Sequence, residues 1–268
     1  MTTVVDFDRV AHLIRVPVRL GGDELHFLVD TGIGVTVVSE RLAARPDVVR
    51  LEESYAGRRM SGQLVEAPLV RLPRLSVGDH AVDGHAAACV DLGDGFDGIL
   101  GPAYFGDRTV TTDVAAGTFT IQAAGARIAG VEVPLEIHRD GPSADPFVRL
   151  VLPSGRAVLV EVDTGSDRLI LDSRLMAECG LGVGGPGVTA REGVDETGHG
   201  YVRYDATLAG SVHLEAAPET AQEAPTVVFQ EIIHDGLIGS EYLYRYRFSF
   251  DLAGERMVLG PLSVAPAR

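Results

Sequence analysis

The chain has 268 residues, 46% of them hydrophobic, enough for a sizeable core in one large domain or two of ordinary size. The formal net charge is −15 and all 23 basic residues are arginine, a balance that excludes the basic footprint of a nucleic-acid binder. No apolar run is long enough to span a membrane, and the N-terminus lacks the basic start and apolar stretch of a signal peptide, so a cytoplasmic protein is expected. Lysine-free, Ala/Val/Gly-rich composition suggests a bacterial gene. Cys89 and Cys179 read as buried thiols rather than a disulfide framework.

In chain order, Arg15–Leu20 and Leu25–Val29 alternate around Gly21-Gly22, the pattern of a β-hairpin. The second strand runs into Asp30-Thr31-Gly32. A carboxylate at the end of an apolar strand is costly unless it is hydrogen-bonded or used. Ser39 stands where an N-cap would, before a short helix "ERLAA". "AVDGHAAACV" and "TFTIQ" read as strands, with His80 and His85 expected to face solvent near a turn. "VEVPLEI", from Val131, opens a second series of strands, and "HRDGPSADP", His138 to Pro146, is the most linker-like stretch. "FVRLVL" and "AVLVEV" then flank a Pro153-Ser154-Gly155 turn, and the second of them runs into Asp163-Thr164-Gly165. Asp172 repeats the N-cap before "SRLMAE". "GLGVGGPG", from Gly180, follows a helix and lacks the Lys-Ser/Thr of a phosphate loop, so it reads as a plain loop. "RMVLG" closes the series as a strand.

The chain repeats itself. Shifted by 133, Asp30-Thr31-Gly32 falls on Asp163-Thr164-Gly165 and Arg41-Leu42 on Arg174-Leu175. Shifted by 138, "FDGILGPAYF" from Phe96 falls on "HDGLIGSEYL" from His234, and Asp113 falls on Asp251. The expected organisation is two similar β lobes, residues 1–129 and 130–268. Asp97, Asp235, Asp113 and Asp251 are expected to make turns. Pseudo-twofold packing would bring Asp30 and Asp163 face to face. Two such carboxyls share one proton, so the ionised member can deprotonate water while the other polarises a carbonyl. The plain alternative is that each aspartate only caps loop N–H groups. No HExxH, CxxC or G-x-S-x-G pattern is present, and no metal or cofactor is expected.

With both DTG sequences and with Ile99-Leu100-Gly101 and Leu237-Ile238-Gly239 about 70 residues after them, the chain resembles aspartic proteases of the pepsin/retropepsin type. More narrowly, it resembles bacterial retropepsin-like aspartyl proteases, here with two copies in one chain. The resemblance implies a mainly β, bilobal fold and an aspartic endopeptidase with peptide or protein substrates. It implies Asp30 and Asp163 as the catalytic pair, Thr31, Gly32, Thr164 and Gly165 as its support, and a psi-shaped crossing of each DTG loop by an apolar-apolar-Gly strand. It also implies substrate-covering flaps, with candidate tips at Ser61-Gly62 and Gly198–Gly200. Both halves lie in one chain, so a complete monomer is expected. Ser166 follows the second DTG as the family pattern expects, and its hydroxyl is expected to donate to Asp163, leaving Asp163 ionised and Asp30 protonated. Ile33 departs from that pattern. An acid–base enzyme acting on a small molecule at the same pair, or a binding protein without catalysis, is the other reading.

Overall fold

A computed structural model describes residues 2–93, 95–194 and 198–263. The protein is mainly β and bilobal, as expected of a pepsin-like chain. Each lobe is built on a ten-stranded sheet, and the two sheets have the same strand order.

In the first lobe, strands Leu13–Leu20 and Asp23–Val29 pair antiparallel around the Gly21-Gly22 turn. Their inward residues, Ile14, Val16, Val18, Leu20, Leu25 and Phe27, are buried while the alternate residues as far as His26 are not, which is the period-two pattern that makes them strands; Leu28, next to the loop, is buried on the other face. Strand Gly98–Leu100 then inserts parallel to Asp23–Val29 and antiparallel to Val37–Ser39. In the second lobe Gly236–Ile238 does the same between Ala157–Val162 and Leu169–Asp172. These inserted strands are the two apolar-apolar-Gly motifs. A long hairpin closes one end of each sheet, Val49–Arg58 with Leu64–Arg71 and Thr189–Val194 with Gly200–Thr207.

A third sheet of six strands joins the halves. Its order is Thr3–Asp6, Thr118–Gln122, Thr109–Asp113, Arg247–Asp251, Arg256–Gly260 and Val131–Pro134. The central pair is antiparallel and in register at Thr111 and Ser249, which are 138 apart and whose hydroxyls are 2.7 Å from each other. The local twofold axis therefore passes through this pair. A small cavity lined by Thr31, Thr164, Val110, Phe248 and Phe250 sets this sheet directly behind the two DTG loops.

The N-cap expectations hold. Ser39 Oγ accepts from the Leu42 N–H at 3.4 Å, and Asp172 Oδ1 accepts from the Arg174 N–H at 2.8 Å. Asp113 and Asp251 accept from turn N–H groups at Ala115, Ala116 and Gly254. Asp97 and Asp235 do more than turn the chain. Asp97 pairs with Arg41 and accepts from the His26 N–H; Asp235 pairs with Arg174 at 3.1 Å and accepts from the Leu159 N–H. So two matches of the repeat, the arginines and the aspartates, form one ion pair in each lobe.

Two expectations are corrected. "HRDGPSADP" is no linker: Glu136–Asp140 and Ser143–Val151 form a hairpin of the second sheet, turning at Gly141 with φ 54°. His80 and His85 are half-buried rather than solvent-facing. Each meets the buried Tyr104 ring edge-on at 5.3 Å; His85 also bonds Thr36 Oγ1 at 2.9 Å, and burial pushes it down to about 4.

Candidate active site

Each DTG loop leaves the end of a buried strand and is tied to the strand crossing behind it. The Asp30 N–H donates to the Leu100 carbonyl at 3.1 Å, and the Asp163 N–H to the Ile238 carbonyl at 3.0 Å. The crossing is tight enough to require glycine. A Cβ on Gly101 would lie 2.7 Å from the Val35 carbonyl, and one on Gly239 would lie 2.6 Å from the Ser166 and Arg168 carbonyl oxygens.

The two loops hold each other through their threonines. The Thr31 N–H donates to Thr164 Oγ1 and the Thr164 N–H to Thr31 Oγ1, both at 3.0 Å. Each hydroxyl in turn donates across the interface, Thr31 Oγ1 to the Val162 carbonyl at 2.5 Å and Thr164 Oγ1 to the Val29 carbonyl at 3.2 Å. Thr31 and Thr164 are buried, so this network is shielded from competing water.

The grip brings Asp30 and Asp163 together. A Cβ on Gly32 would strike the Asp163 carboxyl, and one on Gly165 would strike the Asp30 carboxyl. Each carboxyl accepts the N–H of its own loop glycine at 2.8 Å, and Asp163 also accepts the Ser166 N–H at 3.2 Å. The carboxyls hydrogen-bond each other, and burial lifts both above the ordinary carboxylate range. The charge of Asp30 lifts Asp163 further. Both residues keep a partly exposed edge although packed atoms surround their carboxyls. Like charges this close cannot both ionise, so the pair retains one proton.

Ser166 supports Asp163 through its backbone, not as expected. Its hydroxyl lies 3.5 Å from the Arg168 carbonyl instead. The assignment of the proton to Asp30 through that hydroxyl loses its basis.

Ser61 and Gly62 sit at the turn of the first long hairpin, where Gly62 has φ 82° and its N–H closes the turn on the Arg59 carbonyl at 2.8 Å. This tip reaches the other lobe. The Ile233 N–H donates to the Met60 carbonyl at 2.9 Å, and Met60 packs against Ile170, Val228, Ile232 and Leu237. Gly198 and Gly200, the second expected tip, stand at the matching hairpin of the second lobe; residues 195–197 of that hairpin lie outside the described residues.

The sequence reading missed four residues around the pair. His12 Nε2 is 2.9 Å from the Gly165 carbonyl, beside the second loop. Glu161 is buried two residues before Asp163, and its raised carboxyl is within electrostatic reach of Asp163, Asp145 and Asp30. Asp145 is raised by burial and accepts from the Ser143 hydroxyl at 3.0 Å. Tyr55, on the first long hairpin, has its hydroxyl within reach of Ser143 of the second lobe, and burial raises it. Glu161 had a signal: the repeat sets it opposite Leu28, an apolar residue.

Among the described residues no cluster of His, Cys, Asp and Glu fits a metal ion, and no helix is long and apolar enough to cross a membrane. No curated protein matches the chain. Residues 16–103 match the family model described as aspartyl protease, a span running from the first hairpin through Asp30 to the Gly101 crossing, and this match supports function of the aspartic protease type.

Proposed function

We propose that the protein is an aspartic endopeptidase in which Asp30 and Asp163 activate a water for direct attack on a peptide bond. Lobes 1–129 and 130–268 each supply one aspartate, so a single chain carries a complete site. The observation that carries the reading is the mutual approach of the two carboxyls, each set against the other loop's glycine. In the monoprotonated pair, the ionised carboxyl takes a proton from water as the water oxygen bonds to the peptide carbonyl carbon. The protonated carboxyl donates to the carbonyl oxygen as that oxygen gains charge. The tetrahedral intermediate then collapses with transfer of a proton to the leaving amine, and the pair returns to one shared proton. Thr31 and Thr164 position the carboxyls; Gly32, Gly165 and Ser166 steady them with N–H groups. The hairpin tip at Met60–Gly62 covers the cleft and opens to admit an extended peptide, which pairs with the hairpin strand.

One observation favours a second reading. The tip is latched onto the second lobe through Met60 and Ile233, a narrow arrangement that also suits acid–base chemistry on a small molecule at the same pair. A peptide-library digest separates them. The purified protein should cleave peptides in EDTA, and Asp30→Asn should not. A protein that cleaves no peptide under any acidic or neutral condition sinks the peptidase reading; activity lost in EDTA and restored by zinc moves the protein to another class.

A further inference from the structure

The two sides of the catalytic pair differ in one buried position. Leu28 and Glu161 each stand two residues before their aspartate on an extended strand, so each emerges on the same face as that aspartate. Leu28 is 5% exposed, as an apolar residue should be there; Glu161 is 7% exposed in the equivalent place. Among the described residues no donor hydrogen-bonds Glu161, and the charges that reach it are those of Asp163, Asp145 and Asp30. A carboxyl set this deep among other carboxyls is costly even where its oxygens still touch solvent, as those of Glu161 do, and a leucine fills the equivalent site in the other lobe without that cost. Folding therefore gives no reason for Glu161.

We propose that the side of the cleft beside Asp163 is a subsite for a cationic group, a guanidinium or ammonium on a substrate side chain flanking the scissile bond. This deepens the peptidase reading and rests on it. A cation entering there supplies donors to Glu161 and a positive charge to a group that otherwise faces only the carboxyls of Asp163, Asp145 and Asp30. A guanidinium offers five N–H donors in a planar fork, and charge-assisted bonds of that kind are the strong ones. The Ser143 hydroxyl, bonded to Asp145, lies nearby, and the Tyr55 hydroxyl of the other lobe is within reach of Ser143 and Glu161. The net charge of −15 draws cationic substrates toward the cleft at long range. The equivalent position in the first lobe is Leu28, which offers a cation no acceptor, so the preference applies to one side of the scissile bond only.

The test compares kcat/KM for matched peptides carrying Arg, Lys or Leu on either side of the scissile bond, with wild type, Glu161→Leu and Glu161→Gln. Glu161→Leu places in the second lobe the residue that the first lobe carries, and Glu161→Gln keeps the volume, so one of the two remains readable if the other folds poorly. Wild type should prefer Arg or Lys on one side only, and the Arg-to-Leu ratio should fall about 10- to 100-fold in both variants, the loss of one charge-assisted bond. An unchanged ratio, or a wild-type preference for leucine on both sides, overturns the subsite. Binding of agmatine, a free guanidinium probe, is measured in parallel by NMR titration. If wild type cleaves no peptide, that failure belongs to the peptidase reading alone. Agmatine binding that disappears in Glu161→Leu then still supports the cation subsite, and binding that is absent or equal in the variant overturns it.

Discussion

At Thr31 one hydroxyl accepts the Thr164 N–H and donates to the Val162 carbonyl, all within a buried contact between lobes. Thr31→Ala leaves both partners unpaired and should destabilise the protein by about 2–4 kcal/mol, whereas Thr31→Ser, which keeps the hydroxyl, should cost well under half of that. Urea unfolding of the two variants checks this, and equal losses would mean that the methyl packing matters rather than the grip. The carboxyls set a second expectation at the same scale. Asp30, Asp163, Glu161 and Asp145 are all raised by burial. As pH rises past the ordinary carboxylate value of about 4, the unfolded chain loses these protons while the folded protein still holds them, so stability falls until the folded values are passed. Asp30→Asn removes one of the interacting charges. Its Tm should exceed that of wild type by a few degrees at pH 7, and the gap should close near pH 4. A variant less stable than wild type at pH 7 contradicts this. The aspartates and threonines were legible in sequence because both copies spell them alike. Glu161 was not, since its meaning lies in its departure from Leu28, and the position of the Ser166 hydroxyl depends on a rotamer that no motif encodes.

The strand that crosses behind each loop fixes where the carboxyl points. Gly101 and Gly239 are there because backbone carbonyls of the residues after the DTG lie where a Cβ would be. Gly101→Ala should therefore shift the first loop, lowering both stability and activity, with about 2 kcal/mol or more lost for overpacking against backbone. An alanine tolerated within about 0.5 kcal/mol, the range of a neutral surface change, would mean the crossing is looser than described. At this scale the sequence showed the strands around each DTG well, through alternation and a shared turn. It failed at His138–Pro146, where Gly, Pro, Ser and Asp give a loop composition. The strand survives Pro146 because pairing with Ala157–Val162 stops at Phe147; only the Glu136–Asp140 strand runs beside Pro146. His85 was misjudged for a similar reason: a histidine beside a turn looks exposed until Tyr104, from a distant segment, covers it.

The six-stranded sheet makes the halves interdependent. Thr109–Asp113 finds its partner in Arg247–Asp251, and the N-terminal strand Thr3–Asp6 adds to the same sheet at one edge as Val131–Pro134 does at the other. The repeat made two lobes legible, but nothing in it revealed a shared sheet, because edge pairing between distant strands leaves no periodic trace. The full chain should sediment as a monomer that stays active on dilution. Residues 1–129 alone expose the open edge at Thr109–Asp113 and should self-associate or recombine with residues 130–268; a stable, monomeric half in sedimentation would count against this dependence. The central claim is that the two aspartates act as one unit. Its most direct measurement is kcat/KM on a cleaved peptide for wild type, Asp30→Asn, Asp163→Asn and the double variant. The account predicts that each single variant loses about 1,000-fold or more and that the double variant is no more than about tenfold worse than either, as for residues of one catalytic unit. Losses that simply multiply, or near wild-type activity in either single variant, would contradict it.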